Sequence, residues 1–437
     1  MKKYYLLLIF VFIMAGCQSR QPEEPESKTL KVLAFNAQQF NQLYGNFFLA
    51  THPNYTLNVV SIMDSLEAGT NITTTIEELI DKENPDIVVN MMDSFSVLVE
   101  KGKLVSLEDF IKKDKFDIEA YSPAVIDYLR NEQGALHGLA PTFNSNALFY
   151  NKKLFDQYGL AYPAGLITWD EMFEIAQQFP SLKDKENRQF GLYYKNLYSP
   201  FMMGLTIGEG SGLSMINDGK FTLDTPSWHN VFQHVALCFK NSVCYDPNES
   251  IKKETRDIKT MEQESYPFLN GNIALAIDGF NLYKILEKNK DADETFEWGV
   301  VSFPTSAENP DMGNGIEMND IISISANAPD ANNAWEFVSY VAGKNYAKLL
   351  PQINLTELPS RSNSDMEDQK IAAFYQLQRI NNKLINQLRD LPAPLITMMD
   401  EITPAYMSDI SSGKISVPEA LATIEKQLNI ALSHAGK

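Results

Sequence analysis

The sequence predicts an α/β protein of two lobes. Three observations point there. Strand-like and helix-like segments alternate along most of the chain, the pattern of mostly parallel sheets covered by helices. The 437 residues exceed what one hydrophobic core usually serves. A polar break from Thr142 to Asn146, inside the apolar stretch Gly134–Phe155, suits a crossing between lobes.

The N-terminus reads as a targeting segment. Lys2 and Lys3 precede an apolar run, Tyr4 to Ala15, too short to span a bilayer as an anchor. Ile13-Met14-Ala15-Gly16-Cys17 resembles a bacterial lipoprotein signal; the alternative is a secretory signal with a chance cysteine. The resemblance implies a signal peptide over 1–16 and lipidation of Cys17, with a diacylglycerol on its sulfur and a site for a palmitate-type chain on its amine. Such a protein is held at the cell membrane on its extracytoplasmic face. Residues 17–28 carry almost no apolar side chain beyond proline and read as a disordered tether.

The formal charge is −19, and loss of Lys2 and Lys3 makes the chain more acidic still. That excludes nucleic acid, whose phosphates demand a basic face, and anionic lipid as a surface partner. Cys238 and Cys244, six positions apart, fit either a disulfide or buried free thiols outside the cytoplasm. The five histidines form no metal-ligand spacing, so no metal or other cofactor is expected.

The elements follow in order. Leu30–Phe35 is a strand ending at Asn36 and Gln38. Phe40–Thr51 reads as a helix stopped by His52-Pro53. Tyr55–Ser61 alternates as a strand, and Thr70–Asp81 has helical period. Ile87-Val88-Val89 is a continuous apolar strand of the buried parallel type, closed by Asn90 and followed by Asp93 and a helix from Phe95. Gly134–Phe155 reads as two short strands around the polar break. Thr168 and Glu171 form a capping box ahead of a helix. Phe190–Tyr194 is a strand, and the next runs to Asp278, Phe280 and Asn281. Trp298–Pro304 is a strand leaving that lobe. Glu317–Ser325 is another strand, Ala331–Val341 a helix, and the chain after Asn381 is mostly helical.

Strand carboxyl ends in open parallel sheets gather ligand groups. Here they carry Asn36, Gln38, Asn90, Asp93, Thr142, Asn144, Tyr194, Asn196, Tyr198, Asp278, Phe280 and Asn281, with Glu317 opening a later strand. Amides, hydroxyls, carboxylates and aromatic faces suit a polyhydroxylated ligand. Each has a plainer reading. Asp93 serves equally as a helix cap, Asn36 and Gln38 as turn residues, and Tyr194, Asn196 and Tyr198 as loop packing. Arg361 reads better as a structural bond than as a ligand contact, and Trp169 as helix-start packing.

Several stretches together resemble the extracellular solute-binding proteins, family 1, of ATP-binding-cassette importers, in their carbohydrate-binding branch. They are Asn84-Pro85-Asp86-Ile87-Val88-Val89, then Gly134-Ala-Leu-His-Gly138-Leu-Ala-Pro with Leu148-Phe-Tyr150-Asn151-Lys-Lys-Leu-Phe155. Tyr158-Gly159-Leu160 with Thr168-Trp-Asp-Glu171, Phe268-Leu-Asn-Gly271 through Gly279, and Leu358-Pro359-Ser360-Arg361 continue the order. Phe280 stands where that family usually has tryptophan, which reduces stacking area and removes an N–H donor. The resemblance implies a periplasmic-binding-protein-like type II fold, divided as 29–140 plus 301–345 and 141–300 plus 346–437. It implies a monomer that closes on a small-molecule ligand, a carbohydrate, and docks on permease subunits. Other small solutes (an amino acid, a peptide, a modified sugar) and a sensing role stay open. Catalysis is not expected, because Asp93, Asp278 and Glu317 read as isolated acids and no serine elbow or metal motif accompanies them.

Overall fold

A computed structural model describes residues 26–67, 70–179, 188–195, 199–246, 258–290, 296–353, 356–361 and 369–435. Strands are numbered in chain order. The first five are β1 Lys28–Ala34, β2 Tyr55–Ser61, β3 Ile87–Asn90, β4 Thr142–Asn151 and β5 Phe190–Tyr194. Then come β6 Ile216–Asn217, β7 Lys220–Phe221, β8 Ile273–Gly279 and β9 Trp298–Val301. The remainder are β10 Met312–Gly313, β11 Ile316–Glu317, β12 Ile321–Ile324, β13 Leu358–Pro359 and β14 Arg379–Ile380.

The first lobe is built on the sheet β12-β3-β1-β2. β1 takes in Lys28, the last residue of the expected tether, and pairs in parallel with β2 and β3. Every residue of β3 is buried, as its unbroken apolar run requires of a strand covered on both faces. The helix Ile72–Glu83 lies over this sheet. Asn71 opens it by accepting from the N–H groups of Thr73 and Thr74, and Asn84 closes it in the left-handed conformation, which asparagine tolerates better than most residues that carry a Cβ. β12 returns antiparallel to β3.

The helix expected over Phe40–Thr51 contains a π-helical turn, Asn41–Gly45, between two short α segments. The widened turn frees backbone and side chains to bond elsewhere. Tyr44 donates its hydroxyl to Asp320 at 2.8 Å, and the Leu43 carbonyl accepts from the Tyr346 hydroxyl.

In the second lobe β4 is the hub of the sheet β11-β4-β8-β5, with β9 and β13 also on β4. β5 and β8 are parallel, whereas β4 runs antiparallel to β8, β9, β11 and β13. Mixed pairing follows from β4 entering this lobe from the other one. The helix Trp169–Ala176 carries both halves of the Thr168–Glu171 capping box. Cys238 and Cys244 are joined as a disulfide. The C-terminal helices pack on this lobe: Glu425 accepts from the N–H groups of Leu223 and Asp224, both at 2.7 Å, and Asn429 accepts from that of Phe221 at 2.9 Å. Among the described residues no helix is long and apolar enough to cross a membrane.

The polar break does not interrupt β4. A single strand of ten residues runs through it. Its start pairs with β13 and β11, and its end with β8 and β9. Just upstream, Leu139 bridges Ile322 next to the first sheet. Polar side chains are tolerated there because they find partners across the crossing, as described next.

Candidate functional site

The chain crosses between the sheets at β4, again from β11 to β12, and a third time at residues 356–361. All three crossings meet on one carboxylate. Glu357 accepts from Thr142 Oγ1 at 2.5 Å and from Asn144 Nδ2 at 3.3 Å on the first crossing. It accepts from Asn319 Nδ2 at 2.7 Å on the second. Thr142 and Asn144 are therefore both engaged by Glu357 rather than pointing unpaired at a ligand. Beside this knot, Asp320 holds its hydrogen bond from Tyr44. Burial, with the charge of Glu357 adding to it, pushes the Asp320 carboxyl up to about 6.

Two of the predicted acids, Asp93 and Glu317, have chain neighbours in contact across the crossing. Asp93 is exposed in the first turn of the helix Met92–Glu100, which has no side-chain cap. Its carboxylate thus sits at a helix N-terminus, where the dipole favours charge. Glu317 is exposed at the end of β11, opposite Asn144. Their chain neighbours are in contact: the Met318 N–H points at Met92 Sδ, 3.1 Å away. Although its tip reaches water, the protein crowded around Glu317 partly desolvates its carboxyl and raises it above its ordinary value, and the charge of Asp93 raises it further. Glu317, which read as isolated in sequence, thus lies in the field of Asp93.

Tyr194 stands at the carboxyl end of β5. It is 8% exposed and stacked on Trp169 at 6.1 Å with 21° between the rings. Burial raises its hydroxyl well above the usual tyrosine range, reinforced by the charges of Glu209 and Glu317. Glu209 lies behind it, accepting from Asn314 Nδ2 at 3.0 Å and from the Leu384 N–H.

Other predicted residues are placed differently. Asn90 is 1% exposed, and its amide donates to the carbonyls of Val88 and Ile321 and to Ser323 Oγ. It fastens β3 to β12. Asp278 is fully buried on β8, in register with Ala147. It bonds Lys195 Nζ at 2.7 Å and the Gly279 N–H at 2.7 Å. Burial pushes its carboxyl up to about 6 against the pull of Lys195. Phe280 stacks on Tyr283 at 5.3 Å and meets the edge of Phe374, with Asn281 half-buried beside it. Asn36 caps the first helix by accepting from the Gln39 N–H, and Gln38 is exposed in that helix. Asn196, Tyr198 and Cys17 lie outside the described residues. Arg361 is buried, bonding the Asp117 carbonyl and lying over the rings of Phe116 and Tyr121.

Sequence reasoning missed Glu357, Asn319 and Asp320. Asn319-Asp320 inside an apolar strand was a usable signal of a break. Glu357 gave none, since Thr142 and Asn144 lie more than two hundred residues upstream and Asn319 lies 38 residues away. It also missed Phe35, which is 40% exposed at the carboxyl end of β1, where an apolar strand residue would normally be covered.

A family model described as bacterial extracellular solute-binding protein matches residues 37–373. A curated relative, the sn-glycerol-3-phosphate-binding periplasmic protein UgpB of Rhizobium meliloti (strain 1021), is 26% identical over 100 residues. That match spans 22% of this chain and 23% of the relative. Among solved structures, the sugar-binding protein MalE of Xanthomonas citri superposes with a TM-score of 0.66 at 17% identity, covering 93% of this chain and 98% of the other. A sugar transporter from Rhizobium etli in an open conformation gives 0.63 at 18% identity, covering 92% and 98%. The ABC substrate-binding protein Lmo0181 of Listeria monocytogenes, in complex with cycloalternan, gives 0.59 at 19% identity, covering 93% and 100%. At these identities the likeness is one of fold.

Proposed function

This chain belongs to the bacterial extracellular solute-binding proteins, and from that premise we propose that it captures a sugar or oligosaccharide between its lobes and delivers it to an ATP-binding-cassette permease. The reading is carried by the meeting of strand ends from both sheets at the crossings. There Asp93 comes from the first lobe and Glu317 from the second crossing, with their chain neighbours Met92 and Met318 in contact. Planar acceptors match ring hydroxyls, and exposed aromatic faces match the C–H faces of a pyranose. Phe35 supplies such a face on the first lobe, and half-buried Phe280 on the second. The sugar-binding proteins whose fold it shares support the same reading.

Calorimetric titration against sugars, amino acids and peptides tests it. A carbohydrate should bind and be recovered chemically unchanged. Asp93→Ala should weaken that binding roughly tenfold, the worth of one charge-assisted hydrogen bond, and Phe280→Ala should weaken it too, both in folded protein. Binding of an amino acid or peptide to the exclusion of every sugar would sink the proposal, as would release of a hydrolysed product.

Attachment of the protein to the membrane through lipid on Cys17 is part of the same proposal. It rests on the small residues Ala15 and Gly16 ahead of the cysteine and on the absence of apolar residues just after it. Cys17→Ser should shift the protein from the membrane pellet to the soluble fraction. Retention in the pellet would mean that something else holds it.

A further inference from the structure

We infer that the Cys238–Cys244 disulfide is a redox-sensitive clasp: it keeps residues 243–245 seated as the outermost strand on β5, and its reduction loosens the strand end that carries Tyr194 and Lys195. Carboxyl ends of strands are where open sheets gather ligand groups, so the clasp bears on the binding face. It stands whether or not the ligand is a sugar.

β5 is the last strand in the order β11-β4-β8-β5. An edge strand normally shows one row of backbone groups to water, yet every residue of β5 is buried. Residues 243–245 cover that edge. Cys244 bridges Leu192 in parallel. The Val243 carbonyl accepts from the N–H groups of Gly191 at 2.8 Å and Leu192 at 3.1 Å, and the Tyr245 N–H donates to the Leu192 carbonyl at 2.8 Å. The Tyr245 ring lies edge-to-face with Phe190 and Tyr193, its centroid 5.0 and 5.6 Å from theirs. The cover packs so closely that only glycine fits at 191: a Cβ there would run into the Val243 side chain and the Ala176 carbonyl.

The cover hangs on a sharp return from the helix Pro226–Lys240. Ser242 takes the left-handed conformation in that return, with φ 56°, which a residue carrying a Cβ adopts at a cost. The Cys238 carbonyl accepts from the N–H groups of Val243 and Cys244 at 2.8 and 3.0 Å. The disulfide closes the same turn covalently, from the last turn of the helix to the cover. It therefore opposes the tendency of the strained turn to relax and carry the cover off β5. At the far end of β5, Tyr194 stacks on Trp169 and Lys195 reaches buried Asp278, so slack in the strand reaches both.

Both sulfurs lie inside, with Cys238 0% and Cys244 4% exposed. A thiolate has to touch a sulfur to exchange with it, so reduction waits for the cover to lift. A dithiol such as dithiothreitol then supplies two electrons and two protons. The S–S bond breaks, each cysteine becomes a thiol, and the reagent closes into its own cyclic disulfide. Thiols stay reduced in the cytoplasm and pair outside it, so the clasp closes where an extracellular family acts.

The test is amide hydrogen exchange read by mass spectrometry on three samples: the oxidised protein, the protein held in dithiothreitol with its thiols counted, and Cys238→Ala/Cys244→Ala. Peptides covering 190–195 and 243–245 should exchange about tenfold faster without the bond, the scale expected when a short cross-link stops holding a local unit. The β1 peptide of the first lobe should keep its rate. The variant carries the comparison if the bond resists the reagent, and the reduced protein carries it if the variant does not fold. Unchanged exchange over 190–195 in protein lacking the bond overturns the inference. So does equal acceleration in both lobes, or unfolding of both bond-free samples, since the bond would then hold the whole chain rather than this edge. None of these results bears on the carbohydrate reading, which the sugar titration decides.

Discussion

Glu357→Ala should lower the unfolding free energy by about 2 kcal/mol, the scale for losing charge-assisted bonds at a part-buried acceptor. The substitution strands Thr142, Asn144 and Asn319 together. These donors sit on two different crossings, so the loss falls on the joint between the lobes rather than inside either one. Relief of the repulsion on Asp320 offsets part of the cost. The second consequence is mechanical slack: with the three crossings no longer tied, the range of lobe separations should widen. Urea unfolding and small-angle X-ray scattering of the ligand-free protein measure the two effects. Unchanged stability with an unchanged scattering profile would show that Glu357 is a bystander.

Lys195→Met should cost about 2–3 kcal/mol at pH 8, because the buried carboxyl loses its partner and takes up a proton rather than stay charged alone. Asp278 is wholly buried, and Lys195 is the cation bonded to it. The penalty should depend on pH in a defined direction. Burial already lifts the Asp278 carboxyl to about 6, above its ordinary 3.8. The folded state therefore keeps a proton that the unfolded chain releases first. Stability tied to this group is fully present below the unfolded value and is lost as pH rises through the folded one. Without Lys195 the folded value climbs further and the loss continues to higher pH. At pH 5 Asp278 is mostly neutral in both proteins, and the two should differ little. Asp278→Asn in the Lys195→Met background should recover most of the loss at pH 8. Denaturant unfolding at the two pH values decides it, and equal penalties at both would refute the ionic account.

Much of the fold was legible because its determinants are local. The capping box at Thr168 and Glu171, the glycine closing the helix Lys152–Tyr158 and the helix Ala331–Val341 all depend on residues within a turn of one another. The errors have a common cause in long-range partners. β4 was expected to break at its polar residues, but Glu357 satisfies them from far along the chain. The strand expected over Glu317–Ser325 splits instead, because Met318 turns to Met92, Asn319 to Glu357, and Asp320 to Tyr44. The site was legible in the same partial way. Strand ends mark where polar groups gather, so Asp93, Glu317 and Tyr194 were nameable. Which of them a protein partner would claim was not. Asn90 and Asp278 look the same in sequence as Asp93, yet the first is taken by β12 and the second by Lys195.

The start of β1 has a consequence for how the molecule bears force. Lys28 is its first residue, bonded to the Tyr55 hydroxyl at 3.1 Å and to Glu336 at 3.3 Å, and seated over the Tyr55 ring. From there β1 runs between β2 and β3, in register with β2 over its whole seven-residue length. Tension applied through the N-terminal segment therefore acts along the axis of an interior strand. The β1–β2 hydrogen bonds share that load in shear, all at once, whereas a strand pulled sideways would release them one at a time. The lobe is loaded where its sheet resists best, so a sustained tug should be borne by the β1–β2 ladder long before it disturbs the strand ends at the far side of the sheet.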